Sequence, residues 1–150
     1  DTAAFYASRS ALQSYSQQCT LIGPTGSGQL TKMVNQICIA GLIQALSEGL
    51  EFGRRSGLDL ELVLETISKG AAGSWQMVNR GSTMTKNEFD FGFAVDWMRK
   101  DLGIVFSEAA RVGSPLPITK MVDELYEKVQ QRQGNRLDTS SLISLLRNYD

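Results

Sequence analysis

Apolar residues recur along most of this chain at the three- and four-residue spacing of amphipathic helices. In the first such stretch, residues 2–16, the larger apolar side chains are Phe5, Leu12 and Tyr15. The same spacing predicts helices at residues 29–55, 60–68, a short segment with Trp75 and Met77, 94–112, 117–133 and a last segment ending at Leu146. The pattern therefore predicts a multi-helix, all-α chain.

Residues typical of helix ends stand at several of these boundaries. Asp59 and Ser74 precede apolar runs and can cap the helices that follow, and Asp138 or Thr139 can do the same for the last one. Pro117 suits the first turn of a helix. Residues 81–92 are polar and are predicted to be irregular.

Three glycines, Gly41, Gly49 and Gly53, lie inside the long helix predicted at 29–55. A glycine in a helix interior costs roughly 0.5 to 1 kcal/mol relative to alanine. We therefore expect these positions to allow close approach of a neighbouring helix. The apolar run 37–43 in the same helix is expected to be buried nearly all round.

Residues 19–22 (Cys-Thr-Leu-Ile) break the helical pattern and resemble a short β-strand that ends at Gly23-Pro24. A lone strand cannot satisfy its own backbone hydrogen bonds. Its partners are therefore expected outside this chain, or the segment is a solitary extended linker. With the start at Asp1 instead of Met, this favours a piece of a longer protein.

The amino-acid composition excludes several kinds of binding surface and catalytic group. The 150 residues include 15 Lys+Arg and 16 Asp+Glu, a balance that argues against nucleic-acid and polybasic membrane surfaces. The chain has no histidine, so a proton carrier must be Lys, Asp, Glu, Tyr or Cys. Its two cysteines fit neither a C-x-x-C motif nor a zinc site. Without a signal peptide or a run of ~20 apolar residues, a soluble cytoplasmic protein is expected.

The glycine-rich turn 23–28 (Gly-Pro-Thr-Gly-Ser-Gly) is similar to a phosphate-binding loop but lacks its chemistry. A Walker A loop continues with Lys and Ser or Thr, whereas Gln29 and Leu30 follow here. The dinucleotide fingerprint G-x-G-x-x-G fails because Thr31 replaces its third glycine. The turn is therefore predicted to let another group approach the backbone closely.

Lys32, Asn35 and Gln36 share one face of the long helix, at spacings i, i+3 and i+4. The positive field of the helix N-terminus, with partial burial, would lower the pKa of Lys32 and suit it to proton transfer. A solvated lysine beside two amides is the alternative. Elsewhere, Asp96 and Lys100 can form an i, i+4 ion pair. Ser74 and Trp75 have two interpretations: they belong to a functional site, or they are a capping serine and a core tryptophan.

Taken together, these residues resemble the β-hydroxyacid dehydrogenase family, to which 6-phosphogluconate dehydrogenase is more distantly related. The family pattern G-x-x-G-x-G-x-x-x-K-x-x-N-[NQ] corresponds to residues 23–36. Residues 37–49 look like the family's long helix, and residues 100–102 match its K-D-L segment. Gly113-Ser-Pro-Leu-Pro117 follows, so the resemblance covers essentially the whole chain.

The resemblance implies a fold and a reaction. Residues 1–22 would end an N-terminal Rossmann domain, with 19–22 as its residual last strand, and residues 23–150 would be an all-α domain for substrate binding and dimerisation. The implied enzyme is an NAD- or NADP-dependent oxidoreductase of a small 3-hydroxyacid or semialdehyde. It would be a cytoplasmic homodimer or homotetramer, with no nucleic-acid or membrane partner and no metal. The cofactor would bind mainly to the N-terminal domain, so the isolated chain is expected to be inactive.

The resemblance also implies a role for each candidate residue. Lys32 would be the general acid/base; the substrate would be bound by Gly28, Asn35, Gln36 and Ser74; and the cofactor would be bound by Lys100 and Asp101. Gln36 stands where many members have a second Asn, so an amide is retained. Ile39 replaces a Glu expected in the 6-phosphogluconate branch, which argues against decarboxylation.

Two alternatives remain at this point. The chain could be a non-catalytic helical dimerisation or interaction module, whose glycine-rich apolar helix packs on a partner. Within the enzymes, imine-reductase-like proteins are a further possibility, but they generally lack the lysine found at position 32.

Overall fold

The computed structural model describes residues 1–147, and within them every regular element is helical. The elements are α1 (Thr2–Gln13), α2 (Ser27–Arg55), α3 (Leu60–Ile67), α4 (Trp75–Thr85), α5 (Val95–Val112), α6 (Pro117–Gln131), a 3-10 turn (Thr139–Leu142) and α7 (Ile143–Arg147). The predicted all-α fold is confirmed. Across these 147 residues the single β-type feature is an isolated antiparallel bridge between Ala94 and Asp138.

The chain divides into two compact units, residues 1–35 and 36–150. The first unit contains α1, a non-helical segment and the first turns of α2. Asp1 caps α1 by accepting a hydrogen bond from the Ala4 amide at 2.9 Å. No residue of α1 is buried.

Residues 19–22, predicted as a short strand with partners outside this chain, form no strand within the described residues. The segment has no regular secondary structure and pairs with no strand among the described residues. The physical reason was visible in the sequence, because one strand needs a neighbour for its amide and carbonyl groups. The two alternatives, partners outside this chain or a solitary extended linker, both stay predictions.

The second unit has two groups of buried apolar side chains. The first, core A, lies among α2, α5, α6 and α7 and comprises Ala40, Ile43, Val95, Met98, Leu102, Val122, Tyr126, Val129, Leu142 and Leu145. The second, core B, lies among α2, α3, α4 and α7 and comprises Leu46, Leu50, Leu64, Met77, Met84, Phe89 and Ile143. Burial of these side chains drives the folding of this unit.

Several helices begin or end at the residues that are typical of helix ends in the sequence. Asp59 accepts hydrogen bonds from the Glu61 and Leu62 amides, and Ser74 accepts one from Met77 at 3.1 Å. Gly113 ends α5 in the left-handed conformation with φ +72°. Pro117 occupies the first position of α6, as its fixed φ favours.

Helix α4 is longer than the sequence indicated. Residues 81–85 belong to it instead of starting an irregular segment. A side chain at Gly81 would collide with Leu64, since a Cβ there would lie 2.5 Å from Leu64 Cδ2. Gly81 therefore allows α3 and α4 to pack closely, which a local reading of the sequence could not reveal.

Two expectations for α2 are wrong. A Cβ at Gly41 or Gly49 would meet nothing within 4 Å, so those glycines do not mark close helix contacts; Gly53 does, with Leu60 at 3.0 Å. Residues 37–43 are not buried all round either, because Cys38 and Leu42 are exposed. The described residues leave the outward face of these two side chains uncovered.

Candidate functional site

The predicted turn and lysine lie at the start of α2. Gly26 adopts φ +99°, where an L side chain would be strained, and its carbonyl accepts the Leu30 amide at 3.1 Å. Gly28 lies in the first turn of the helix, with open space where a Cβ would stand. The glycines therefore form a tight turn that leaves the backbone accessible.

Lys32 and Asn35 follow on the next turns of α2, and both side chains are exposed. The partial burial expected for Lys32 is therefore not found. The helical spacing places the two on one side of α2, as predicted. An exposed ammonium group can reach a dissolved substrate, although its catalytic role stays a prediction.

Gln36 and Asp101 form a buried polar pair in the second unit. The side chains are on α2 and α5, and the residues are only 5 % and 8 % exposed. Gln36 Nε2 donates to Asp101 Oδ2 at 2.9 Å and lies 3.9 Å from Met98 Sδ. Because a buried carboxylate needs donors, Gln36 holds Asp101 in place. The sequence predicted both residues but not this contact between them.

Lys100 lies beside this pair but reaches into solvent. Its side chain is 60 % exposed, and Nζ lies 3.6 Å from Asp101 Oδ1 and 5.8 Å from the centre of the Trp97 ring. The predicted ion pair between Asp96 and Lys100 is not formed. Asp96 Oδ1 instead accepts hydrogen bonds from Gln130 and Asn135. The arrangement presents one oriented ammonium group, which suits a phosphate or hydroxyl partner.

Ser74 caps α4, as predicted, and its proposed contact with substrate is untested by this geometry. Trp75 is 61 % exposed, so it is not the core tryptophan of the alternative interpretation. Its ring instead lies against Arg80, whose guanidinium carbon is 4.9 Å from the ring centre. The start of α4 thus has an aromatic surface.

The sequence pattern does not indicate Arg80, and it indicates Asp138 only as a helix cap. The two form an ion pair, Nε to Oδ1 at 3.3 Å, in which Asp138 is 1 % exposed. Asp138 also accepts from the Phe93 amide at 2.9 Å and from the Ser140 amide and hydroxyl. Because the partners are 58 positions apart, no local signal could have indicated the pair.

Within residues 1–147, no group of three or more Cys, Asp or Glu side chains is arranged to hold a metal ion, and both cysteines are free. The helices of this part are also each too short or too polar to cross a membrane.

The predicted site residues lie in both units. The second unit brings together Gln36, Lys100 and Asp101, with Ser74 on a different helix. Lys32, Asn35 and Gly28 belong to the first unit.

The sequence is similar to known oxidoreductases. It is 57 % identical over 146 residues to an uncharacterized oxidoreductase of Shewanella frigidimarina (strain NCIMB 400), covering 97 % of this chain and 50 % of that protein. It is 32 % identical over 146 residues to the 2-hydroxy-3-oxopropionate reductase of Escherichia coli (strain K12), with the same two coverages. This chain thus spans about half the length of these relatives.

The fold is similar to that of a solved enzyme. A crystal structure of 3-hydroxyisobutyrate dehydrogenase from Salmonella typhimurium superposes with a TM-score of 0.85 at 26 % identity, covering 95 % of this chain and 50 % of that one. Residues 26–146 match the family described as NAD-binding of NADP-dependent 3-hydroxyisobutyrate dehydrogenase. The match includes Lys32, Asn35 and the K-D-L segment. The chain therefore belongs to this family of hydroxyacid dehydrogenases.

Proposed function

We propose that the protein containing this chain is an NAD(P)-dependent oxidoreductase that interconverts a small 3-hydroxyacid and its semialdehyde. The observation that carries the proposal is the family match over residues 26–146. The 32 % identity to a 2-hydroxy-3-oxopropionate reductase supports the same class of substrate. In this proposal residues 1–22 end a dinucleotide-binding domain, and residues 23–150 form the helical substrate and dimerisation domain.

Lys32 is the proposed general acid/base. In oxidation, its neutral amine accepts the proton of the substrate hydroxyl while the carbon bearing that hydroxyl loses a hydride. In reduction, the ammonium form returns the proton to the aldehyde oxygen. When bound, the nicotinamide cofactor takes up or supplies the hydride. The family match that includes Lys32 supports this role, and the exposed side chain can reach a small molecule.

The remaining residues orient the reactants. We assign Asn35 and Ser74 to hydrogen bonds with the substrate, and Gly28 to its close approach to the backbone. Gln36 is also assigned to the substrate side, where its contact with Asp101 makes it a positioning residue. A buried donor and acceptor that satisfy each other keep one fixed geometry.

Lys100 and Asp101 would hold part of the cofactor. The donor set fits this use, since Lys100 offers a largely exposed ammonium to a phosphate or ribose group while Asp101 fixes its position. Most cofactor contacts are assigned to the domain preceding residue 23. The 150-residue chain alone is therefore expected neither to bind NAD(P) tightly nor to turn over substrate, and NAD(P)H-dependent activity of the isolated chain would contradict this.

The test is Lys32→Ala in the whole protein, assayed with NAD+, NADP+ and a panel of 3-hydroxyacids and semialdehydes. Loss of a general acid/base lowers rates by roughly 10² to 10⁴ fold, so we expect kcat to fall by that amount. The dissociation constant of the cofactor should stay unchanged. Lys120→Ala, at an exposed position of α6, is the matched control. Near-normal kcat in Lys32→Ala would refute the assignment.

A second candidate is a helical dimerisation module without catalysis, which the outward face of α2 favours. Leu42 and Phe52, in the part of α2 that belongs to the second unit, are 44 % and 73 % exposed. Large apolar side chains exposed along one helix are typical of a surface that packs on a partner. The same face supports a homodimer or homotetramer of the enzyme. Turnover by the whole protein with any substrate of the panel decides against a module without catalysis.

A further inference from the structure

Arg80 stands between two elements that carry proposed site residues. It lies on α4, six residues after Ser74, and contacts the segment 89–94 that leads into α5, where Lys100 and Asp101 lie. We propose that Arg80 is a positioning residue that, through Asp138, fixes the start of α4 relative to this segment. The inference rests on the proposed function, because Ser74 is assigned to the substrate there.

Arg80 is held by three kinds of contact. Its guanidinium carbon lies 4.9 Å from the ring centres of both Trp75 and Phe91. Its Nε pairs with Asp138 at 3.3 Å, and Nη1 donates to the Asn79 carbonyl at 3.0 Å. Only the planar guanidinium of arginine combines stacking on rings with directed donation in this way. The side chain is 19 % exposed, so the contacts are largely shielded from water.

Asp138 transmits this restraint to the segment 89–94. Its carboxylate accepts the Phe93 amide at 2.9 Å, and its own amide donates to the Phe89 carbonyl at 2.9 Å. The Thr139 amide donates to the Phe93 carbonyl at 3.0 Å. The segment is therefore attached on both sides of Gly92 to one buried carboxylate residue.

Gly92 lies against Asp138 and Arg80, with no room for a side chain. It has φ +71°, and a Cβ there would collide with the Asp138 carboxylate and would lie 2.9 Å from Arg80 Nη2. Trp75, Phe91 and Phe93 remain 61 %, 38 % and 37 % exposed around this point. The rings of Trp75 and Phe91 both contact Arg80 and remain open to solvent, so they form an aromatic surface suited to the organic part of a substrate.

The test compares Arg80→Lys, Arg80→Gln and the control Arg111→Gln in the whole protein. Arg111 has only an exposed ion pair with Glu108 on the same helix. We expect both Arg80 variants to raise the KM of the hydroxyacid about tenfold while kcat and the Kd of NADP+ change less than twofold. Arg80→Lys keeps a positive charge near Asp138, so it should unfold close to the wild-type temperature and still show the raised KM.

A purely structural role predicts the opposite pattern, in which the Tm falls and the KM of the folded fraction stays normal. That result, or a wild-type KM in both variants, overturns the proposal. A second measurement is the near-UV circular dichroism difference between Trp97→Phe and Trp97→Phe with Arg80→Lys, which isolates the change in the Trp75 signal. Arg80→Lys should lose the Trp75 signal at unchanged far-UV ellipticity, and an unchanged signal overturns the proposal. Near-UV circular dichroism requires no turnover, so it separates failure of the proposal for Arg80 from failure of the proposed function.

Discussion

The two buried cores of the second unit support their neighbouring polar groups in different ways. Core A surrounds α5, where Asp101 is buried and bound by the neutral amide of Gln36. Core B supports α4 and α7, and the polar groups around it are held by ion pairs, Arg80 with Asp138 and Glu51 with arginines. The carboxylate buried beside core A thus accepts a hydrogen bond from a neutral amide, while those beside core B pair with guanidinium groups.

This difference has a consequence for how each core responds to its surroundings. Packing of aliphatic side chains is insensitive to pH, whereas ion pairs depend on protonation and weaken in salt. We therefore expect truncations in core A to have the largest effect on stability. Changes around core B should have smaller effects that vary with pH.

The largest expected effect is that of Leu102→Ala in core A. Leu102 is fully buried on α5, and truncation of such a leucine costs about 2 to 5 kcal/mol of unfolding free energy. Urea denaturation followed by far-UV circular dichroism measures it. Val78→Ala, at a position 67 % exposed, is the control and should cost less than about 0.5 kcal/mol. Equal losses in the two variants would contradict the placement of core A.

A smaller, pH-dependent effect is expected for Glu51→Gln near core B. Hydrogen bonds from Arg54 Nη2 and Arg55 Nε, both at 2.7 Å to Oε1, lower the pKa of Glu51 from 4.5 to about 2. A carboxyl group whose pKa is lowered by folding stabilises the folded state above its unfolded pKa and loses that contribution as the pH falls.

The difference in Tm between wild type and Glu51→Gln should therefore be full above about pH 5 and shrink between pH 4.5 and 2. Thermal unfolding over that range measures it. Glu65→Gln is the control, since Glu65 is exposed on α3 and forms no ion pair among the described residues. A Tm difference that stays constant down to pH 2 would disprove the assigned role of Glu51.

The smallest of these effects is expected for Ser74→Ala at the start of α4. Loss of the hydrogen bond from the Met77 amide should cost about 1 kcal/mol of unfolding free energy, while Ser74→Asp should largely retain the cap. Denaturant titration measures both variants. If Ser74 also contacts substrate, Ser74→Asp will restore stability without restoring the substrate KM, which separates capping from binding.

Much of the helical framework could be predicted from the sequence because its signals are local. The caps Asp59 and Ser74, the left-handed Gly113 and the first-turn Pro117 each act within four residues of a helix end. Helix α4 was predicted too short for the opposite reason. Gly81 looks like a break, and only its contact with Leu64 on another helix explains why it lies inside one.

The candidate site also combines features that local sequence predicts with contacts that it does not predict. The spacing of Lys32 and Asn35 on α2 follows from helical geometry alone. The contact between Gln36 and Asp101 joins residues 65 positions apart, so periodicity could indicate each residue but not the pair. Arg80 carries no motif, and its two rings and one carboxylate meet only after α4 and the 3-10 turn have packed.

Gly92 has a consequence for how this protein can diverge. Any larger residue there would push against the Asp138 carboxylate, so the backbone path of the segment 89–94 tolerates little change. Exchange of the Phe93 ring leaves the contact with Asp138 intact, because the Phe93 amide makes that contact. Side-chain variation at this position therefore changes the exposed surface while the backbone of the segment keeps its hydrogen bonds.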